Sequence, residues 1–172
     1  MPKIILFRGR AGTGKSTLSN ELAKRLNVPV LHKDDIYDSV AGFVPEHGSR
    51  NKICFEFLYR FLENVINSNA IIILDYGLNN NEDVKKLERW ITERGGELKT
   101  IHCVCGDETT WSKRLAKRSI NPLPNQIITN LSELKEHYKD LGPEFFEGEL
   151  ILDTVIPKDI NVEKIQSFVF EV

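Results

Sequence analysis

One run of eight residues constrains this chain more than any other: Gly9-Arg10-Ala11-Gly12-Thr13-Gly14-Lys15-Ser16, followed by Thr17. The order matches G-x-x-x-x-G-K-[ST], a loop whose glycines let the backbone curl until several N–H groups converge on one point. A polyphosphate suits that point, at the N-terminus of a following helix, where the peptide dipoles favour negative charge. Lys15 brings a mobile cation for the β- and γ-phosphates, and Ser16 a hydroxyl oxygen for Mg2+. The flanks supply the context the motif requires. Ile4-Ile5-Leu6-Phe7 reads as a short buried strand, and Leu18, Leu22 and Leu26 fall on one helical face. A strand-to-helix turn without a ligand needs one or two glycines, not three with a Lys-Ser pair behind them.

The alternation of strand and helix continues. Val28-Pro29-Val30-Leu31-His32 reads as a second strand, with Asn27 and Pro29 closing the helix before it. Cys54, Leu58, Phe61, Leu62, Val65 and Ile66 predict an amphipathic helix over 51–67. Ala70-Ile71-Ile72-Ile73-Leu74 is a continuous apolar run that ends at Asp75, as suits a central strand buried on both faces. Val84, Leu87 and Ile91 mark a helix stopped by Gly95-Gly96. Residues 98–105 form a fourth strand, after which Asp107 caps a helix carrying Trp111 and Leu115. Leu131, Leu134, Tyr138 and Leu141 share a further helix; Leu150-Ile151-Leu152 make a short fifth strand; Val162, Ile165, Phe168 and Val169 line the last helix. The implied fold is α/β, a mostly parallel five-stranded sheet with helices on both faces, whose ligands bind beyond the carboxyl ends of the strands.

A length of 172 residues gives one domain with a full core, and a net charge of −2 does not mark a nucleic-acid or membrane-surface binder. No apolar run reaches membrane-spanning length, and the chain enters its first strand without a signal-peptide pattern. Cys103 and Cys105 share one strand face but lack a second pair for a metal, so they read as buried thiols of a reducing, cytoplasmic compartment.

Chemistry-bearing residues follow the strand ends. After strand two comes Lys33-Asp34-Asp35-Ile36-Tyr37-Asp38, three carboxylates in five residues. Transfer of a γ-phosphoryl needs a group that orients the attacking oxygen and takes its proton, and Asp34 or Asp35 could serve. The same cluster could instead cap a short helix. Asp75 could hold Mg2+ through water, or end its strand in an ordinary turn with Gly77 and Asn79-Asn80-Asn81 behind it. Arg114 and Arg118, four apart on one helix face, could stabilise charge on the moving phosphoryl or belong to a solvated basic face with Lys113 and Lys117. The polar, proline-containing stretch Ser119–Asn125 reads as a lid that excludes water. His32, His47, His102 and His137 show no metal-ligand spacing and receive no role. Trp90 and Trp111 fit helix faces. Phe145 and Phe146 either wall an acceptor pocket or pack against the domain, and packing is the reading preferred here.

Together these segments resemble the small P-loop kinases. The resemblance rests on the phosphate loop, Asp34-Asp35 after strand two, Leu74-Asp75 after strand three, and Arg114-x-x-x-Arg118. Leu152-Asp153-Thr154, then Pro157, resembles the family's closing strand and loop, which lies near the adenine. The group includes gluconate and shikimate kinases, chloramphenicol phosphotransferase, the zeta-toxin kinases and the kinase half of polynucleotide kinase. It implies a P-loop NTPase three-layer sandwich with sheet order 2-3-1-4-5 and a small helical lid. One kinase domain would span 1–172, with a lid insertion at roughly 114–140. ATP and Mg2+ would be the cofactors and a hydroxyl the acceptor.

The local pattern is most similar to polynucleotide kinase: Gly-Lys-Ser-Thr, then a basic residue before Asp-Asp. That family has an Arg soon after the Asp pair to hold the acceptor's phosphate. Here Ile36, Tyr37 and Asp38 follow, and Asp38 is a poor partner for a nucleic-acid phosphate. The expectation is therefore ATP-dependent transfer to a hydroxyl of a small polar molecule. Residues 9–17 would bind the nucleotide, Lys15, Arg114 and Arg118 would act on the phosphoryl, Ser16 and Asp75 on the metal, and Asp34 as base with Asp35 in support. The alternatives are a polynucleotide or nucleotide acceptor, and an ATP-binding module with little transfer activity, against which the paired carboxylates argue. Acceptor contacts are expected from about 36–50, 76–82 and 119–147.

Overall fold

The computed structural model describes residues 1–171. Its elements run β1 (Lys3–Arg8), α1 (Lys15–Leu26), β2 (Val30–His32), α2 (Lys33–Val40), α3 (His47–Asn67), β3 (Ile71–Asp75), α4 (Asn81–Thr92), β4 (Glu97–Val104), α5 (Glu108–Arg118), α6 (Leu131–Tyr138), β5 (Leu150–Asp153) and α7 (Lys158–Phe170). The sheet order is β2-β3-β1-β4-β5, as the resemblance implied, and every strand pair is parallel rather than most of them.

Three layers follow from the period of two along each strand. Ile4, Leu6, Ile72 and Leu74 face Leu58 and Leu62 of α3 and Val84, Leu87 and Ile91 of α4. Their neighbours Ile5, Phe7 and Ile73, with Ile101, Cys103 and Leu152, face Leu18 and Leu22 of α1 and Val162, Ile165 and Val169 of α7. Cys54, Cys103 and Cys105 are free and buried. Among the described residues no helix is long and apolar enough to cross a membrane.

Several boundaries differ from the sequence reading: β2 begins at Val30 rather than Val28, and β4 spans Glu97–Val104 rather than 98–105. The carboxylate cluster after β2 is itself helical, forming the first turn of α2, where acidic residues complement the N-terminal dipole. α3 starts earlier, at His47. α6 ends at Tyr138 and leaves Leu141 outside, because Gly142, in the left-handed region, and Pro143 cannot extend a helix. Asp107 caps α5 as expected, accepting from the N–H groups of Thr109 and Thr110. α2, α3 and α7 have no side-chain cap, and neither has α1, which Gly14 precedes at φ 97°. Its first N–H groups therefore remain available at the carboxyl edge of the sheet.

Candidate active site

The central strand β1 delivers the phosphate loop to that edge. Gly9 leaves the strand at φ 135°, and a Cβ there would stand 2.3 Å from the Cys103 carbonyl oxygen of β4. Only glycine permits both the angle and the approach. Thr13 is buried and its Oγ1 donates to the Arg10 carbonyl at 2.8 Å. Lys15 curls back over the loop, its Nζ donating to the carbonyls of Gly9 (2.9 Å) and Arg10 (3.1 Å).

Strand register brings the next groups together. Asp75 lies opposite Phe7 of β1 and His32 of β2. Its Oδ2 accepts from Ser16 Oγ at 2.5 Å and pairs with His32 Nδ1 at 2.8 Å, while His32 Nε2 meets Asn20 Oδ1 at 3.1 Å. Burial pushes the Asp75 carboxyl up, but the His32 hydrogen bond, the Lys15 charge and the Ser16 hydrogen bond outweigh it and hold the group below the usual carboxylate range. The same hydrogen bond raises His32 against its partial burial. Sequence reasoning gave His32 no role. The available signal was position, since it ends a strand neighbouring the one that Asp75 ends.

Asp34 borders a cavity of about 690 Å3 that also takes in Gly9, Ala11, Gly12, Gly14, Lys15, Ser16, Thr17 and Asp75. Asp34 is open to the water of that cavity but enclosed by its walls. Loss of bulk solvation, then the nearby charge of Asp75, raises its carboxyl above the usual range, with Lys15 and Lys33 opposing. Asp35 is exposed and does not line the cavity. Lys33 does, with its Nζ 5.3 Å from the Phe55 ring centre, and burial lowers its ammonium.

α5 closes the opposite wall. Arg114 donates to the Thr13 carbonyl (3.3 Å), to Thr154 Oγ1 (2.7 Å) and to the Thr154 carbonyl (3.2 Å), tying the phosphate loop to the segment after β5. Arg118 borders the same cavity. Trp111 donates its indole N–H to the Ala11 carbonyl at 2.8 Å. The connector after α5 is fastened to α2: the Asn125 backbone N–H and Nδ2 donate to Asp38 at 2.9 and 2.6 Å. Asp38, read in the sequence only as a poor phosphate partner, thus holds the connector.

Arg10 and Thr13 do not line the cavity. Arg10 turns outward to Glu144 (3.3 Å) and lies 5.4 Å from the Tyr138 ring centre. Beneath it Arg8, whose side chain is fully enclosed, pairs with the equally enclosed Glu149 at 3.0 Å and donates to Asn81 Oδ1 at 2.9 Å. His102 Nδ1 meets Glu149 at 3.0 Å. Phe146 lies under Arg8 and Phe145 tilts against His102, so both phenylalanines pack on the body of the protein and neither borders the cavity.

Two hard oxygens, Ser16 Oγ and an Asp75 carboxylate held ionised, suit Mg2+, which keeps waters and phosphate oxygens for its remaining positions. No group of three or more His, Cys, Asp or Glu assembles a separate metal site among the described residues.

A parallel 2-3-1-4-5 sheet with an uncapped helix behind a glycine loop defines a P-loop NTPase fold of the kinase-like kind. A family model described as an AAA domain matches residues 4–135, and the chain belongs to that family. Solved structures agree in fold. A gluconokinase from Sinorhizobium meliloti 1021 aligns at TM-score 0.66 and 17% identity, covering 99% of this chain and 93% of that one. The APS kinase CysC of Mycobacterium tuberculosis, in complex with AMPPNP and APS, aligns at 0.68 and 12% over 99% and 98%. Kti12 of Chaetomium thermophilum, in complex with ADP-AlF3, aligns at 0.72 and 14% over 96% and 98%. A tRNA dimethylallyltransferase of Mycoplasmoides gallisepticum is 27% identical over 133 residues, 74% of this chain; the chain spans 43% of the length of that curated relative.

Proposed function

We propose that the protein is an ATP-dependent kinase that transfers the γ-phosphoryl group to a hydroxyl of a small molecule. The observation that carries this reading is that Asp34 and the phosphate loop border one cavity. A module that only binds nucleotide has no use for a carboxylate there whose proton affinity is raised. In this reading the loop N–H groups and the N-terminus of α1 hold the phosphates. Lys15 exchanges its loop carbonyls for phosphate oxygens. Ser16 and Asp75 hold Mg2+, which when bound offsets charge on the phosphates.

Asp34 accepts the proton of the attacking hydroxyl, and its raised proton affinity suits a base. Of the Asp34-Asp35 pair, Asp34 is the one that lines the cavity, which supports this choice. Arg118 faces the moving phosphoryl, while Arg114 braces the loop against Thr154. The chain reads as one kinase domain in which roughly 114–140 acts as a lid, latched in this structure through Asn125 and Asp38 and keeping water from the phosphoryl.

The test measures ADP release from MgATP with a panel of hydroxyl compounds, alongside calorimetric nucleotide affinity. Asp34→Ala should cut acceptor-dependent turnover by about 10^2–10^4 while ATP affinity stays nearly intact. Acceptor phosphorylation that survives the change would remove Asp34 from the chemistry. Efficient labelling of 5′-hydroxyl oligonucleotides would favour a nucleic-acid acceptor instead.

A further inference from the structure

The acceptor half of the cavity has a chemistry of its own. Among the lining residues that α2, α3 and α4 contribute, Lys33 is the lone lysine or arginine, and it sits over Phe55. Asp83 of α4 adds a second carboxylate. Arg50, the guanidinium nearest in sequence to these walls, is consumed by the fold. Its Nε donates to the Val44 carbonyl at 2.5 Å, its Nη2 to the carbonyls of Ala41 (3.2 Å) and Pro45 (3.1 Å), and its plane lies over Tyr37. No fork of donors is left on this side for a carboxylate or phosphate. What α3 adds to the wall is a neutral amide. The Asn51 amide pairs with His47 Nε2 at 2.8 Å, while Asn51 Oδ1 is buried without a partner. A hydroxyl, able to donate and to accept, satisfies such a group, and an anion does not.

A second cavity of about 230 Å3 opens between α3 and α4, walled by Leu58, Tyr59, Leu87 and Lys86, whose ammonium is paired with Asp83 at 3.6 Å. It shares Phe55, Leu78 and Asp83 with the main cavity, so the two meet along the acceptor wall. Its size exceeds the about 150 Å3 that encloses a benzene ring.

We propose that the phosphoryl acceptor is an alcohol without an anionic group that carries an apolar arm, the hydroxyl directed to Asp34 and the arm lodged between α3 and α4. This rests on the kinase reading above and adds the acceptor's chemical class.

Four compounds separate charge from arm: glycerol, glycerate, 1-phenylethane-1,2-diol and mandelate. With MgATP, the phenyl diol should show kcat/KM about ten-fold or more above each of the others, the discrimination an apolar pocket provides. In the presence of a nonhydrolysable ATP analogue, the same diol should shift the amide resonances of Phe55, Leu78 and Asp83, and mandelate should not. Leu78→Phe narrows the junction and Tyr59→Trp fills the outer end from a half-buried position. Either should raise KM for the phenyl diol about ten-fold relative to that for glycerol.

Preference for glycerate or mandelate overturns the exclusion of anions. Equal use of glycerol and the phenyl diol overturns the arm, as does a variant that shifts both KM values alike. Absence of both turnover and amide shifts with all four compounds overturns the proposal as a whole. Calorimetry with the ATP analogue keeps the two readings apart: failure there strikes the kinase assignment itself, whereas retained nucleotide binding confines failure to the acceptor class.

Discussion

The two ends of the main cavity are built from different materials. The nucleotide end is backbone: N–H groups of one continuous loop, shaped by Gly9, Gly12 and Gly14 and braced by Trp111, Arg114 and Thr154. The end that the kinase reading assigns to the acceptor is side chain: Lys33, Asn51, Phe55, Leu78 and Asp83, drawn from α2, α3, α4 and the β3–α4 loop. Backbone geometry fixes what the first end can hold. The second can be respecified one residue at a time without touching the first, so a fold of this kind keeps its nucleotide and varies its acceptor.

That contrast can be broken from either end. At the nucleotide end the largest effect is expected from Lys15→Met, which removes a mobile charge from the phosphate loop. Turnover should fall by about 10^2–10^3, read as kcat at saturating MgATP, since a preorganised donor to the transferring group is lost. Gly9→Ala attacks the backbone itself. The left-handed angle and the overlap with the Cys103 carbonyl should lower stability by about 3 kcal/mol, measured by urea unfolding, and weaken nucleotide binding in parallel. Intact affinity in a folded Gly9→Ala protein would mean that the loop is not the shaped end described here.

A smaller effect is expected where the ends communicate. Asp38→Ala frees Asn125 and should raise acceptor-independent ATP hydrolysis relative to transfer by about five-fold, the scale of a partly exposed charged hydrogen bond. The ratio of ADP released to phosphorylated product reads it. The smallest effect concerns pH. Asp34 must be ionised to take a proton, so kcat falls as pH drops through its raised value and is full above it. Lys33 opposes that rise, so Lys33→Met should move the acidic limb of the kcat profile to higher pH. A limb that moves lower would contradict the placement of Asp34 beside Lys33.

The sequence made the first end legible and the second largely not, for the same reason. Gly9 to Ser16 is local, so its function is written in consecutive residues, and the β-branched run before it and the leucine stripe after it fix its place in the sheet. Asp75 was legible because an apolar run ending in a carboxylate has few meanings in a parallel sheet. Asn51 and Phe55 fall in the helix read over 51–67 but off its apolar stripe, since periodicity names the buried face but not the neighbours that turn toward a cavity. Asp38 and Asn125 meet across 87 residues, and nothing in either segment encodes the other. His32 carried no motif, and only the pairing of β2 with β3 places it on Asp75.

The enclosed Arg8–Glu149 pair joins residues 141 apart, one just before the phosphate loop and the other just before the last strand. An enclosed guanidinium without its carboxylate is costly. During synthesis, the loop therefore emerges on a strand end that cannot settle until Glu149, 141 residues after Arg8, has been made. A nascent chain should thus gain affinity for nucleotide only once Glu149 is free to reach Arg8.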